Sequence, residues 1–101
     1  MSLEQRFHDA MLDVYRQAKK ECNYKASAFF DMVVTMGGVA TARRLLASNK
    51  LQSGLYELFE CDRLDLTVEA HVVREEFREL FEPAEVAEAQ RRLELLAATS
   101  G

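Results

Sequence analysis

Tryptophan is absent from this chain, proline occurs once, and cysteine and histidine twice each. With one Pro and four Gly there is no linker long enough to divide 101 residues, so a single domain is expected over residues 1–101. At this size, folding hides roughly two-thirds of the surface that the unfolded chain exposes. Long hydrophobic runs are missing as well. No fully apolar stretch exceeds a few residues, whereas a membrane-spanning helix needs about 20. The opening residues MSLEQRFHDAM alternate in charge and lack the positive start and apolar block of a secretion signal. A cytoplasmic protein is therefore expected, with Cys22 and Cys61 as reduced thiols buried like small hydrophobes.

The scarcity of ligating side chains narrows the chemistry. Two Cys and two His with no short spacing among them do not suggest zinc. Neither His follows a Glu by three residues, so the inward Glu-x-x-His pairs of a di-iron bundle are excluded. The Gly37–Gly38 pair lacks the spacing and the Lys-Ser/Thr of a phosphate-binding loop and has no strand before it. No cofactor is expected.

What the chain does have is apolar periodicity in plenty: 49% of its residues are hydrophobic and 30% charged, the balance of a globular protein. Ser2 and Gln5 form a capping box ahead of Leu3, Phe7, Ala10, Met11, Val14, Tyr15, Ala18 and Cys22, one arc of a helix over about 3–22. Residues 26–36 are apolar except for the stripe Ser27, Asp31 and Thr35, and a helix so greasy belongs at the centre of a domain. Gly37–Gly38 ends it. Short helices follow in VATARRLLAS and LYELFEC. Near the end, Pro83 takes a first helical position, with Phe81 and Val86 spaced as a hydrophobic staple. Val86, Ala89, Leu93, Leu96 and Ala97 mark the buried side of that helix, Glu88 can pair with Arg91 or Arg92, and 97–101 form a fraying tail.

The stretch RLDLTVEAHVV alternates like a half-buried strand, with Leu64, Leu66, Val68, Ala70 and Val72 apolar. A strand needs a partner, and none is on offer. Leu66, Ala70, Val73, Phe77, Leu80 and Phe81 instead recur at steps of three and four, so residues 66–81 are expected to be helical, with Thr67 or Asp65 as the cap. The fold expected is all-α: a compact single-domain bundle of about five to six helices, with central helices near 26–36 and 66–81. Leu64, Val68 and Val72 then form a second apolar stripe, covered either by the domain's own helices or by another chain. They are the candidate partner or dimer surface.

Four segments, YKASAFFDMVVTMGGVATARRLLAS, GLYELFE, RLDLTVEAHVV and FRELFEPAEVAEAQRRL, together resemble a family of short bacterial proteins of uncharacterised function. Its pattern is a Gly-Gly-Val-x-Thr-Ala-x-x-Leu-Leu run, then Arg-Leu-Asp-Leu-Thr-Val-Glu-Ala, then a Leu-Phe pair before the last helix. The resemblance spans Tyr24 to Leu93, and it implies no activity, cofactor or catalytic residue. His71 departs from the pattern by replacing an apolar residue, and Arg74–Glu75–Glu76 stands where an acidic–proline pair is common.

Charge and chemistry leave two functional readings. Residues 1–50 hold 8 Lys+Arg and 5 Asp+Glu, and residues 51–101 hold 5 and 12, so the acid is concentrated in the second half. Cys22, near three lysines, is more simply a core filler than a reactive thiol. His8 and His71 are expected on solvated flanks, and the glutamates of REEFRELFEPAEVAE on exposed helix faces. Catalysis is not expected. The first reading is a non-catalytic protein-binding or self-associating module with a protein partner or a second copy on its apolar or acidic surface. The alternative is nucleic-acid binding by a helix–turn–helix-like pair over 26–47, with Arg43, Arg44 and Lys50 on phosphates. Against that alternative, VATARRLLAS is poor in the exposed polar residues a recognition helix displays.

Overall fold

A computed structural model describes residues 1–48 and 53–99. Among them are helices α1 (Leu3–Cys22), α2 (Ser27–Met36), α3 (Gly38–Ala47), α4 (Ser53–Glu60), α5 (Val68–Val72) and α6 (Pro83–Thr99), with 3-10 turns at Leu64–Leu66 and Arg78–Leu80. No strand occurs among the described residues. The protein is an all-α bundle.

Local chemistry sets the ends of α1. The Ser2 hydroxyl accepts the Gln5 N–H at 3.1 Å, while the Gln5 side chain turns to Asp9 instead of closing the box. At the other end Asn23 takes the left-handed conformation (φ 53°), and the Tyr24 N–H reaches back to the Ala18 carbonyl at 3.1 Å. Gly37 separates α2 from α3 at φ 91°, a value that side-chain-bearing residues rarely adopt. Its neighbour Gly38 brings α3 against α1: a Cβ there would lie 2.7 Å from the His8 Cα. The His8 Nδ1 accepts the Gly38 N–H at 3.1 Å, so the crossing is both close and hydrogen-bonded.

The main core gathers Phe7, Met11, Val33, Ala42, Val72 and Ala89, all inaccessible to solvent. Phe77 and Phe81 meet the Phe7 ring edge-on, each with centroids 5.1 Å away. A smaller cluster of Ala18, Leu58 and Leu66, flanked by Cys22 and Tyr24, joins the end of α1 to α4.

Three expectations need correction. The segment 66–81 winds helically but is not one helix. Thr67 is extended, and its hydroxyl donates to the Leu64 carbonyl at 2.8 Å and accepts the Ala70 N–H at 3.1 Å, which starts α5 afresh. After α5 the Arg78 side chain takes the Val73 carbonyl at 2.7 Å, the Phe77 N–H bonds to Arg74 instead, and the ladder breaks. The greasy helix is not central either. Only Val33 of α2 is fully buried, and Phe30, Val34 and Met36 are 36%, 61% and 39% exposed. Finally, Cys22 and Cys61 are not free thiols but a disulfide, with Cα atoms 5.7 Å apart and a sequence separation of 39. Periodicity places Cys22 on the inner arc of α1 but says nothing of which distant thiol lies opposite.

A bridge closing a loop of this length restricts the unfolded chain strongly. Reduction, or paired Cys22→Ser and Cys61→Ser replacement, is expected to cost about 2–4 kcal/mol. Urea denaturation with and without dithiothreitol measures it, and coincident curves would rule out a stabilising role.

Candidate functional site

The residue that organises this structure carries charge. Arg92 lies between Ala89 and Leu96 on the inner stripe of α6 and is 1% exposed. Its Nε donates to Glu88 Oε2 at 2.6 Å. Nη1 donates to the Leu45 carbonyl at 3.2 Å and to Glu69 Oε2 at 3.3 Å. Nη2 donates to the Leu46 and Ser48 carbonyls at 3.3 and 2.7 Å. A guanidinium has five N–H donors, and this one meets five acceptors. Two of them, Leu45 and Leu46, are carbonyls in the last turn of α3, where the helix supplies few partners of its own; Leu45 also accepts the Ser48 cap N–H at 3.3 Å. The cation also sits at the negative end of the helix dipole.

The two glutamates around it behave oppositely. Glu69, on α5, is buried, and desolvation pushes its carboxyl upward despite the Arg92 charge. Glu88 is partly solvated and is held down to about 2 by hydrogen bonds from Arg91 and Arg92. Arg91 grips both of its oxygens at 2.8 Å.

The stripe Leu64, Val68 and Val72 does not make a docking face. Val72 is fully buried and Val68 9% exposed in the main core, with Leu64 half-buried beside them. Both apolar sides of this segment are covered by the chain's own helices. Among the candidate phosphate contacts, Arg43 donates from Nε to Glu85 Oε2 at 3.0 Å, which ties α3 to α6. Arg44 is exposed, and Lys50 lies outside the described residues.

Both histidines are more engaged than expected. His8 holds the Gly38 amide, as above. His71 is half-buried with Nδ1 2.8 Å from the Thr67 carbonyl, so that nitrogen carries the proton. Burial lowers its pKa, Arg74 adds to the effect, and the Thr67 bond, Asp13 and Asp65 oppose it. Among the described residues, no three or more His, Cys, Asp or Glu side chains are placed to hold a metal ion. No helix among them is long and apolar enough to cross a membrane.

The exposed chemistry is instead apolar and lies on α2. Phe30 and Val34 are one turn apart, and the Tyr15 ring of α1 packs on Phe30 with centroids 4.7 Å apart. On α1, Arg16 and Lys19 follow Tyr15 within one turn, and both are exposed. The arrangement is an apolar ridge with exposed Arg16 and Lys19 on its α1 side and exposed Asp31 beside Phe30 on α2. Sequence reasoning missed this face because it assigned the grease to the interior. It missed the role of Arg92 as well, although its position between Ala89 and Leu96 on the apolar stripe is the signal that marks it.

Two outcomes test the buried network. Arg92→Ala is expected to destabilise the fold by about 3–5 kcal/mol, because it leaves the buried Glu69 carboxylate without its cation and removes a donor from the carbonyls that end α3. Arg92→Lys, with three donors in place of five, is expected to recover only part of that. Glu69→Gln in the alanine background should restore stability, and no recovery would mean that the carbonyls, not the carboxylate, carry the cost. For Glu88 the folded pKa lies below the ordinary 4.5. Its contribution is therefore complete above about 4.5 and is lost as pH falls towards about 2. Protonation of Glu69, whose pKa is raised, works in the opposite direction. Urea titrations between about pH 5 and pH 2 are expected to show Glu88→Gln flattening the decline.

Comparison with protein-family models, with curated proteins and with solved structures gives no match for this chain.

Proposed function

We propose that this chain is a small, non-catalytic protein-binding module that docks its partner through the outward face of α2. One observation carries the reading: the most apolar helix of the chain lies at the surface, with Phe30, Val34 and Met36 open to solvent. Single exposed apolar residues are ordinary, but a Val 61% exposed one turn from an exposed Phe makes a contiguous apolar patch, which a docking surface uses. Arg16 and Lys19 on the α1 side of the ridge select the occupant, a partner helix with an apolar stripe flanked on that side by acidic residues. Self-association through the same ridge is the competing occupant.

Nucleic-acid binding by the α2–α3 pair has no comparable support, because Arg43 is engaged by Glu85. Membership of the short bacterial family that the sequence resembles belongs to the same proposal. So does residence in the cytoplasm, against which the Cys22–Cys61 bridge stands as the contrary observation. Alkylation of thiols in intact cells separates the two: free thiols keep the protein in a reducing compartment, and a protected pair moves it out.

The docking face is tested by a photo-crosslinking side chain placed at residue 34, with Gln90 on α6 as the control position. The crosslinked protein is then purified and its binding measured directly. Val34→Lys with Phe30→Ser is expected to weaken that binding at least tenfold in a protein that still folds, with the thermal midpoint lowered only as far as loss of the Tyr15–Phe30 contact requires. Equal crosslinking from both positions, or binding untouched by the double variant, would overturn the assignment. Light scattering over a dilution series identifies a second copy, if that is the occupant.

A further inference from the structure

Beneath α2, bordering that ridge at Tyr15, the described helices do not close. A cavity of about 360 Å³ lies among α1, α2, α3, α4 and the start of α5. Its walls are mainly Val14, Phe29, Met32, Leu45, Leu55 and Leu58. The size falls within the range of small-molecule sites, as does the recipe of an apolar body with a few polar groups. Side chains facing an unfilled hollow forfeit the dispersion contacts that a filled one would supply. This cavity is not one that close packing of a domain this small would leave by accident.

The polar groups on its wall include the hydroxyl-bearing rings of Tyr15 and Tyr24, which suit a neutral or anionic guest alike, and the charged groups decide between the two. The Thr67 hydroxyl is used internally in both directions, donating to Leu64 and accepting from Ala70, so it has little to offer a guest. Glu69 also lines the cavity, is buried, and shares an oxygen with Arg92. An anionic group is therefore unwelcome at that end. The opposite charge is at the exposed margin, where Lys25 lines the cavity beside Ser27 and Ala28. Ser27 begins α2, which has no side-chain cap and no acidic residue in its first turn. A negative head group therefore fits at Lys25 and a hydrocarbon body fits inside.

We propose that this cavity binds a small amphipathic monocarboxylate, its apolar body within the hollow and its carboxylate at Lys25. An engineered apolar cavity of about 150 Å³ in another protein takes up benzene, so this one accommodates on the order of a dozen non-hydrogen atoms. The cavity and the docking face use different side chains of α2, Phe29 and Met32 against Phe30 and Val34, and they meet at Tyr15 of α1, which lines the cavity and packs on Phe30.

The test uses octanoate and 1-octanol as probes of equal chain length, with the whole protein followed by amide NMR. Octanoate is expected to give saturable shifts concentrated at cavity residues such as Ala28, Gly54 and Leu58, and to bind more tightly than the alcohol. Met32→Trp, which fills the hollow, is expected to abolish both. Lys25→Glu alters only an exposed side chain and so keeps the fold. It is expected to weaken octanoate roughly threefold to tenfold and leave octanol unchanged. No saturable shift with either probe, or shifts that persist in a folded Met32→Trp protein, would overturn the site. Equal affinity for acid and alcohol, unmoved by Lys25→Glu, would overturn the carboxylate.

Discussion

The buried guanidinium of Arg92 is the constraint on which the rest of the arrangement depends. It reaches from α6 to the carbonyls that end α3 and to a carboxylate on α5, so three elements far apart in sequence share one set of hydrogen bonds. Such a cluster adds little net stability over a well-packed apolar substitute, because removing the charges from water is expensive. Its effect is on geometry. Apolar side chains tolerate sliding, but a fork with five donors and five acceptors has one satisfactory register. The positions of α3 and α6 are therefore fixed by directional bonds, and the aromatic contacts of Phe7, Phe77 and Phe81 fill in around them.

Within that frame α2 packs on α1 and α3 but leaves part of its apolar surface uncommitted. It is followed by Gly37, packs through Val33, and keeps apolar side chains on two other sides. One side is the ridge of Phe30 and Val34, and the other is the wall of the cavity. Neither is filled by the described residues, whereas some of the acidic second half is engaged in ion pairs such as Arg43–Glu85 and Arg6–Glu76. A module that leaves part of its grease at the surface is suited to recognising apolar shapes.

Much of the secondary structure was legible because its signals are local. The Ser2 cap, the 3–22 arc, the Gly37 stop and Pro83 at the head of α6 all depend on residues within a turn of one another. Two kinds of feature were not legible. Residues 66–81 share one helical face, yet Thr67 and Arg78 draw backbone groups away from the ladder, and side-chain competition of that sort leaves the apolar spacing intact. Periodicity also tells which residues share a face without telling what covers it. That is why Val68 and Val72 were open to assignment as a docking surface and α2 to assignment as core. The Cys22–Cys61 bridge and the Leu45–Arg92 contact join positions more than 35 residues apart, where no spacing rule applies.

The absent side chain at Gly38 has a consequence for how such a sequence can change over time. With the α1 backbone within touching distance, any larger residue there must push α3 outward, and α3 is pinned to α6 through the carbonyls that Arg92 holds. Position 38 and position 92 are thus mechanically linked without touching. A lineage that loses the glycine must re-register the far end of the same helix, so drift at either site is expected to be accompanied by change at the other.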